Sequence, residues 1–276
     1  MTPVFSVVLP VENGADTIAR SVVSVLAQTF ADLELIVVDA DSRDGTPDAV
    51  RMVADGRVRL LAATDLAEAV ARGTERARGT FITVLDADTV VRPHWLSRVA
   101  RLAQQHRADL VACGGVQHHR DHSSTEVRAD IRCSRPGAVL RRRELSEPRD
   151  PGEAPASITT PELLVDWFEP AASVAASPVE QRLRWATDAM ATLGASPIPS
   201  ADLLSRYATL AGLAAARLHR HPEARRLLGI ARQLNWRDPR YWARWAVASL
   251  PPLSDLVWTG AERAPLGDDR LAAGSG

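Results

Sequence analysis

The period of apolar and polar positions changes several times over the first 115 residues. Phe5-Ser6-Val7-Val8-Leu9 is a short apolar run closed by Pro10, which predicts a strand. Over residues 16–28, Ile18, Val22, Val25 and Leu26 recur at i, i+4, i+7 and i+8, the single apolar face of a helix. Residues 33–38, LELIVV, predict a second strand ending on Asp39, and Thr46-Pro47 is an N-cap and first-turn pair for a second helix. A third strand is expected over 57–62, a helix over 65–77 and a fourth strand over 80–86. After Pro93-His94-Trp95 comes a helix with Trp95, Leu96, Val99 and Leu102 as its stripe, then a fifth strand over 108–113. Strands that are apolar along their length and alternate with helices predict a mostly parallel sheet covered on both faces. In such a sheet the ligand crevice lies outside the carboxyl ends of the strands.

Residues 117–178 are different, rich in Arg, His, Pro and Ser with few apolar runs. Here Ala138-Val139-Leu140 predicts a short strand and residues 161–168 a short helix. The last third is helical in pattern. Residues 179–193 end at Gly194, Ser200 caps a helix running to His221, Pro222 opens the next, and Asp238-Pro239 opens a fourth that Pro251-Pro252 stops. Gly212, Ala224, Leu228, Ala231 and the later Pro239 resemble one tetratricopeptide unit. One such unit cannot build a solenoid. A helical hairpin is expected instead, packed on the first domain or on a second subunit, the latter giving a homodimer through these helices. The expected division is a first domain over 1–175, with halves 1–115 and 116–175, a helical appendage over 176–260 and a disordered tail over 261–276.

Composition adjusts this picture in a few places. The chain of 276 residues is 46% hydrophobic, enough for one large core and a smaller appendage. Its net charge of -1 supplies no general positive field, so nucleic acid is not an expected partner. Every basic residue outside the histidines is Arg. Cys113 and Cys133 stand at no metal-ligand spacing, which suits reduced thiols in a cytoplasmic protein. The start MTPVFSVVLPVENG lacks a basic n-region, and no apolar run approaches the roughly 18 residues of a membrane helix. A soluble, cytoplasmic chain is expected, with peripheral membrane contact left open.

The candidate chemistry begins at Asp86-Ala87-Asp88, two acids one residue apart at the end of a strand. Asp is common in turns for local hydrogen-bonding reasons, so an acidic turn is the bland alternative. Three strand ends, however, carry polar or acidic residues: Pro10-Val11-Glu12-Asn13, Asp39-Ala40-Asp41 and Asp86-Ala87-Asp88. Their convergence on one sheet edge points to a site. His118-His119-Arg120-Asp121-His122 is open to two readings, a metal site or a solvated loop, and adjacent histidines favour the loop because they do not share a helix face. Arg141-Arg142-Arg143 is either a solvated face or a phosphate-binding stretch.

With these residues laid out, the first half resembles a family 2 glycosyltransferase of the GT-A fold. The matching stretches are FSVVLPVEN, SVLAQTF, LELIVVDADSRDGT, ARGTFITVLDADT and RPHWL, in order over about residues 4 to 115. The resemblance implies transfer of a sugar from a nucleotide-sugar to an acceptor hydroxyl with inversion. The acceptor would be a glycan, a lipid-linked sugar or a small molecule. It also implies a divalent cation, Mg²⁺ or Mn²⁺, which carboxylate oxygens suit. Asp88 would be the metal ligand, and Asp86 would hold the ribose or the metal's water shell. Asp39 matches the position that hydrogen-bonds the nucleobase, with Asp41 beyond it, and Pro10, Val11 and Glu12 match the loop against the base. Asp166 stands roughly where the family carries its catalytic carboxylate, with Asp150, Glu153 and Glu162 as alternatives. The chain departs from the pattern at Glu12, where an aromatic residue is often found, at Ala40-Asp41, where Asp-Gly is usual, and at Ala71, where many relatives have Asn. Two rivals follow: a degenerate transferase acting as a binding or scaffold partner, and a protein whose helical hairpin carries the function.

Overall fold

In this computed structural model, β1 (Phe5–Val11) is buried along its whole length and forms the middle of a parallel set. It pairs with β2 (Leu33–Ala40) on one side and β4 (Phe81–Val84) on the other, and β3 (Val58–Ala63) lies beyond β2. The structure describes residues 2–53, 55–130, 139–142, 156–168, 178–194, 201–251 and 257. Pro10 does not close β1, contrary to the sequence expectation. Val8 O accepts the bond from Leu85 N–H at 2.8 Å on the β4 side. Pro10, two residues on, turns its missing N–H to that same side, beyond the end of β4, so no ladder bond is lost.

The helices α1 (Ile18–Leu26), α2 (Thr46–Arg51), α3 (Leu66–Arg76) and α4 (Trp95–His106) alternate with these strands. Helix α3 lies very close to the sheet: a Cβ on Gly73 would stand 2.3 Å from Val8 Cγ1. Ala69 and Ala77 join Val8, Ile36, Val38 and Ile82 in the core there. Helix α2 begins one residue earlier than Thr46-Pro47 suggests, with Gly45 at the N-cap, because the Thr46 hydroxyl and N–H are both taken by Asp44. In α4 the buried stripe is Trp95, Leu96, Val99 and Ala103, with Leu102 half-exposed. Glu34 interrupts the apolar β2 run and is buried. Ser6 Oγ donates to it at 2.7 Å, and the Arg78 backbone N–H and guanidinium donate to its two oxygens. Burial pushes its carboxyl up, and these donors outweigh that and hold it below the ordinary value.

Beyond β4 the sheet becomes mixed. It adds β5 (Thr89–Val91), β6 (Leu110–His118), β7 (Ser124–Val127), β8 (Val139–Arg142) and β9 (Ser157–Phe168). The order is β3-β2-β1-β4-β8-β6-β9-β5, with β7 hairpinned on β6. Strand β8 is antiparallel to β4 and β6, while β9 runs parallel to β6 and antiparallel to β5. The short helix expected over 161–168 is therefore part of a strand. Leu163, Leu164, Trp167 and Phe168 fit a helical stripe as well as a strand. Ladder partners on both sides of β9 decide the matter, and a local pattern does not contain them.

Two compact units divide the chain, Met1–Ser173 with Ser196–Ile198, and Val174–Ala195 with Pro199–Gly276. The second holds α5 (Pro178–Gly194), α6 (Ala201–Arg217), α7 (His221–Leu234) and α8 (Pro239–Ala248). Helix α6 stops at Arg217, short of the expected His221, because His219 takes φ 56 and turns the chain. Asp238 caps α8, accepting from Arg240 N–H at 3.0 Å. No helix among the described residues is long and apolar enough to cross a membrane. Cys113 is buried in β6. Cys133, Arg143, Asp150, Glu153, the Ser200 cap and the tail over 261–276 lie outside the described residues.

Candidate active site

Three loops meet at the carboxyl edge of β1, β2 and β4, and hydrogen bonds stitch them together. After β1 the chain turns at Asn13, φ 49, whose N–H donates to Ser42 Oγ at 2.8 Å and whose Oδ1 accepts from Arg43 N–H at 2.9 Å. Asp44 Oδ2 accepts from Ala15 N–H at 3.0 Å, while its Oδ1 holds Thr46. A Cβ on Gly14 would stand 2.5 Å from Val11 Cγ2 and 3.2 Å from Ala87 Cβ, so the first loop lies directly against the Asp-Ala-Asp turn. Asp41 sits at φ 55, which explains why glycine suits this position and why an aspartate, tolerant of that region, can replace it. Glu12 is exposed on the rim.

Helix α1 fixes the third loop through a polar stripe. Ser21 Oγ donates to Ala87 O at 2.6 Å, Ser24 Oγ accepts from Val91 N–H at 3.1 Å, and Gln28 Nε2 donates to Arg92 O at 2.9 Å. Gln28 Oε1 also accepts from Leu96 N–H at 3.0 Å, satisfying a donor at the start of α4. The SVLAQTF and RPHWL stretches are thus one hydrogen-bonded unit holding the Asp86–Asp88 turn.

The acids differ in their surroundings. Asp39 stands opposite Val11 in the β1–β2 register, and its Oδ1 is buried without a hydrogen-bond partner. A buried acceptor left empty is costly unless a ligand fills it. Asp86 is exposed as a residue, yet the protein around its carboxyl, followed by the charge of Asp88, pushes it up to about 6. Burial also raises Asp88, partly offset by its own backbone, by the Arg20 guanidinium and by Thr89. No cluster of three or more metal-ligating side chains exists among the described residues. Two crowded carboxylates fit a hard divalent cation that completes its shell with phosphate and water oxygens.

Asp166 reaches this neighbourhood through β9. It is opposite Val90 of β5 and Val116 of β6, and β5 starts one residue after Asp88. Its Oδ2 accepts from Arg92 Nε at 3.1 Å, and its Oδ1 lies 3.0 Å from His118 Nε2. The His118 ring stacks on Phe168 with centroids 4.6 Å apart, and Arg20 Cζ lies 4.4 Å from the centre of the same ring. Side chains therefore run continuously from Arg20 through Phe168 and His118 to Asp166, and the Arg20 charge acts on Asp88. Glu162 is paired with Arg98 instead. The residues around His119 form the β6–β7 turn, with Asp121 accepting from Ser123 N–H and Oγ. Sequence reasoning missed Arg20, Arg92, His118 and Phe168 as a group. A signal for Arg20 was present, since it is the one charged residue in the apolar α1 segment IARSVVSVL.

A central parallel sheet extended by a mixed half, with an Asp-x-Asp turn at its carboxyl edge, is the GT-A arrangement. The family model described as "Glycosyl transferase family 2" matches residues 6–153, and the chain belongs to that family. It is 32% identical over 155 residues to the uncharacterized glycosyltransferase EpsJ of Bacillus subtilis, covering 53% of this chain and 43% of EpsJ. It is 40% identical over 88 residues to WfgD of Escherichia coli, a UDP-Glc:alpha-D-GlcNAc-diphosphoundecaprenol beta-1,3-glucosyltransferase, covering 31% of this chain and 35% of WfgD. The chain thus spans less than half the length of these curated relatives. In fold it resembles S. aureus TarS 1–349, solved in complex with UDP-GlcNAc. The TM-score is 0.51 at 14% identity, over 92% of this chain and 89% of that one.

Proposed function

We propose that the chain is a metal-dependent, inverting glycosyltransferase that moves a sugar from a nucleoside-diphosphate donor to an acceptor hydroxyl. The observation that carries this reading is the empty, buried Asp39 Oδ1 on the same edge as the crowded Asp86–Asp88 pair. A donor would satisfy both: an N–H of its base on Asp39, with Pro10, Val11 and Glu12 alongside and Asp41 at the rim, and its diphosphate toward Asp88. When bound, a divalent cation supplies positive charge to the leaving diphosphate. Asp88 would hold it directly and Asp86 would hold the ribose or the cation's water shell, while the Arg20 guanidinium places positive charge that acts on Asp88.

Asp166 and His118 form the acceptor-side couple. The acceptor hydroxyl gives its proton to this couple as its oxygen bonds to the anomeric carbon, and the carbon–phosphate-oxygen bond breaks with its electron pair leaving on the diphosphate. Arg92 orients the carboxylate. WfgD acts on a lipid-linked diphosphate sugar by name, and a lipid-linked acceptor is the one we favour here. We place the protein in the cytoplasm, in keeping with only two cysteines at no metal-ligand spacing. The test is donor hydrolysis by the purified chain with UDP-Glc and UDP-GlcNAc, with Mn²⁺ and with chelator. Mn²⁺-dependent release of UDP is expected, and silence together with no nucleotide binding would overturn the reading in favour of a degenerate binding partner.

A further inference from the structure

The basic residues are not spread evenly. The whole chain has a net charge of -1, yet residues 217–251 carry eight arginines against two acids, Glu223 and Asp238. Those acids are already engaged, Glu223 with Arg220 at 3.8 Å and Asp238 with Arg240 at 2.8 Å, which leaves an excess of guanidinium charge on α7 and α8. Large aromatic residues stand in the same stretch. Trp236 is 62% exposed and Trp242 45% exposed, and Leu234 and Leu250 are exposed as well. The two tryptophans are contiguous, since Trp242 Nε1 donates to Trp236 O at 2.8 Å. Arginines lie over these rings: Arg232 Cζ is 4.3 Å from the centre of Trp242 and 4.5 Å from that of Trp245, and Arg237 is 4.9 Å from that of Trp236. On α7, Arg225, Gly229 and Arg232 share one face at i, i+4 and i+7, and Trp245 of α8 lies over Gly229.

From this cluster we infer that the α7–α8 surface docks on an anionic phospholipid bilayer, its tryptophans seated at headgroup depth and its arginines on the lipid phosphates. Indole rings favour the water–hydrocarbon boundary, and a basic segment is drawn to an anionic leaflet by its charge. The charge discriminates against a second copy of this chain, because a two-fold contact would set the same arginines against one another. Single-stranded nucleic acid, which also seeks aromatic rings and arginines, is the competing occupant that the experiment below separates. The inference rests on the transferase reading only for its purpose, which is to bring the site to a lipid-linked acceptor.

The experiment is flotation of the full chain with phosphatidylglycerol–phosphatidylcholine vesicles (about 3:7) and with pure phosphatidylcholine vesicles, at about 50 mM and about 300 mM NaCl. Binding to the anionic vesicles alone is expected, weakened by salt. Trp236→Ser should lower it about tenfold, and Arg225→Gln with Arg237→Gln about thirtyfold. Melting curves check that each variant is folded, and the exposed position of Trp236 makes it the safer of the two. Equal retention on both vesicle types, unchanged binding by folded variants, displacement by single-stranded RNA, or a dimer in place of vesicle binding would each overturn the inference. UDP–Mn²⁺ titration on the same samples separates the two proposals. Vesicle binding without nucleotide binding leaves the docking surface standing and removes the transferase, and the converse leaves the transferase and removes the surface.

Discussion

Asp39, Asp86 and Asp88 stand at or just beyond the ends of parallel strands, on segments held by bonds between side chains and backbone. Asp166, by contrast, stands inside β9, held between β5 and β6 by pairing with distant segments. On the donor side the strand-end loops and the neighbouring helix α1 build the surroundings of the acids. On the acceptor side the Asp166 carboxylate is met by Arg92, from the segment after β5, and by His118 of β6, with Phe168 stacked on His118 and Arg20 over Phe168. Binding and proton transfer should therefore be separable by mutation.

The largest expected effect is on the acceptor side. Asp166→Asn should lower kcat by about 10³-fold, within the usual range for a lost proton acceptor, while UDP–Mn²⁺ affinity stays within about twofold. Titration calorimetry beside a transfer assay checks this, and a parallel loss of nucleotide affinity would break the division between the halves. His118→Asn separates the members of the couple: if it matches Asp166→Asn, the imidazole takes the proton, and if it costs much less, the carboxylate does.

Next comes the stripe that holds the donor turn. Gln28→Ala leaves Arg92 O and Leu96 N–H without their partner in a buried place, so denaturant unfolding should show a loss of about 2 kcal/mol. Nucleotide affinity should fall with it, because the Asp86–Asp88 turn is loosened.

The pH dependence belongs to the donor side. Asp86 is raised from 3.8 to about 6 in the folded chain, so the metal-free fold favours its protonated form. A cation requires the ionised form. Mn²⁺-dependent UDP affinity should be level above neutral pH and fall by up to about tenfold per pH unit below about 6. Stability without metal runs the other way, since this group withdraws stability as pH rises through about 6 and returns it below. The smallest effect follows from the same sign: Asp86→Asn should raise the metal-free Tm at neutral pH by about 3 °C while weakening donor binding.

The legibility of the sequence followed the same division. Phe5 to Leu9, LELIVV and FITVL announced the parallel strands, and Asp39 and Asp86-Ala87-Asp88 marked their ends, because apolar period and turn chemistry are local properties. The local pattern over 161–168 fits a short helix, whereas the segment is part of β9 because its partners β5 and β6, far away in sequence, fix it as a strand. Without that strand, Asp166 could be placed only by resemblance. His118 was visible only as part of a histidine-rich loop, because what gives it a role is Asp166 across the β6–β9 ladder. Gln28 was read within SVLAQTF, but its bonds to Arg92 and Leu96 needed three dimensions.

The proposed role of Asp86 and Asp88 is to bind the donor diphosphate through a divalent cation. Calorimetric titration of UDP into the intact chain, with Mn²⁺ and with chelator, tests it when repeated on Asp88→Ala. Mn²⁺-dependent binding by the native protein is expected, and none by an Asp88→Ala variant whose melting curve is unchanged. Equal binding by the two proteins, or binding indifferent to chelator, would contradict it.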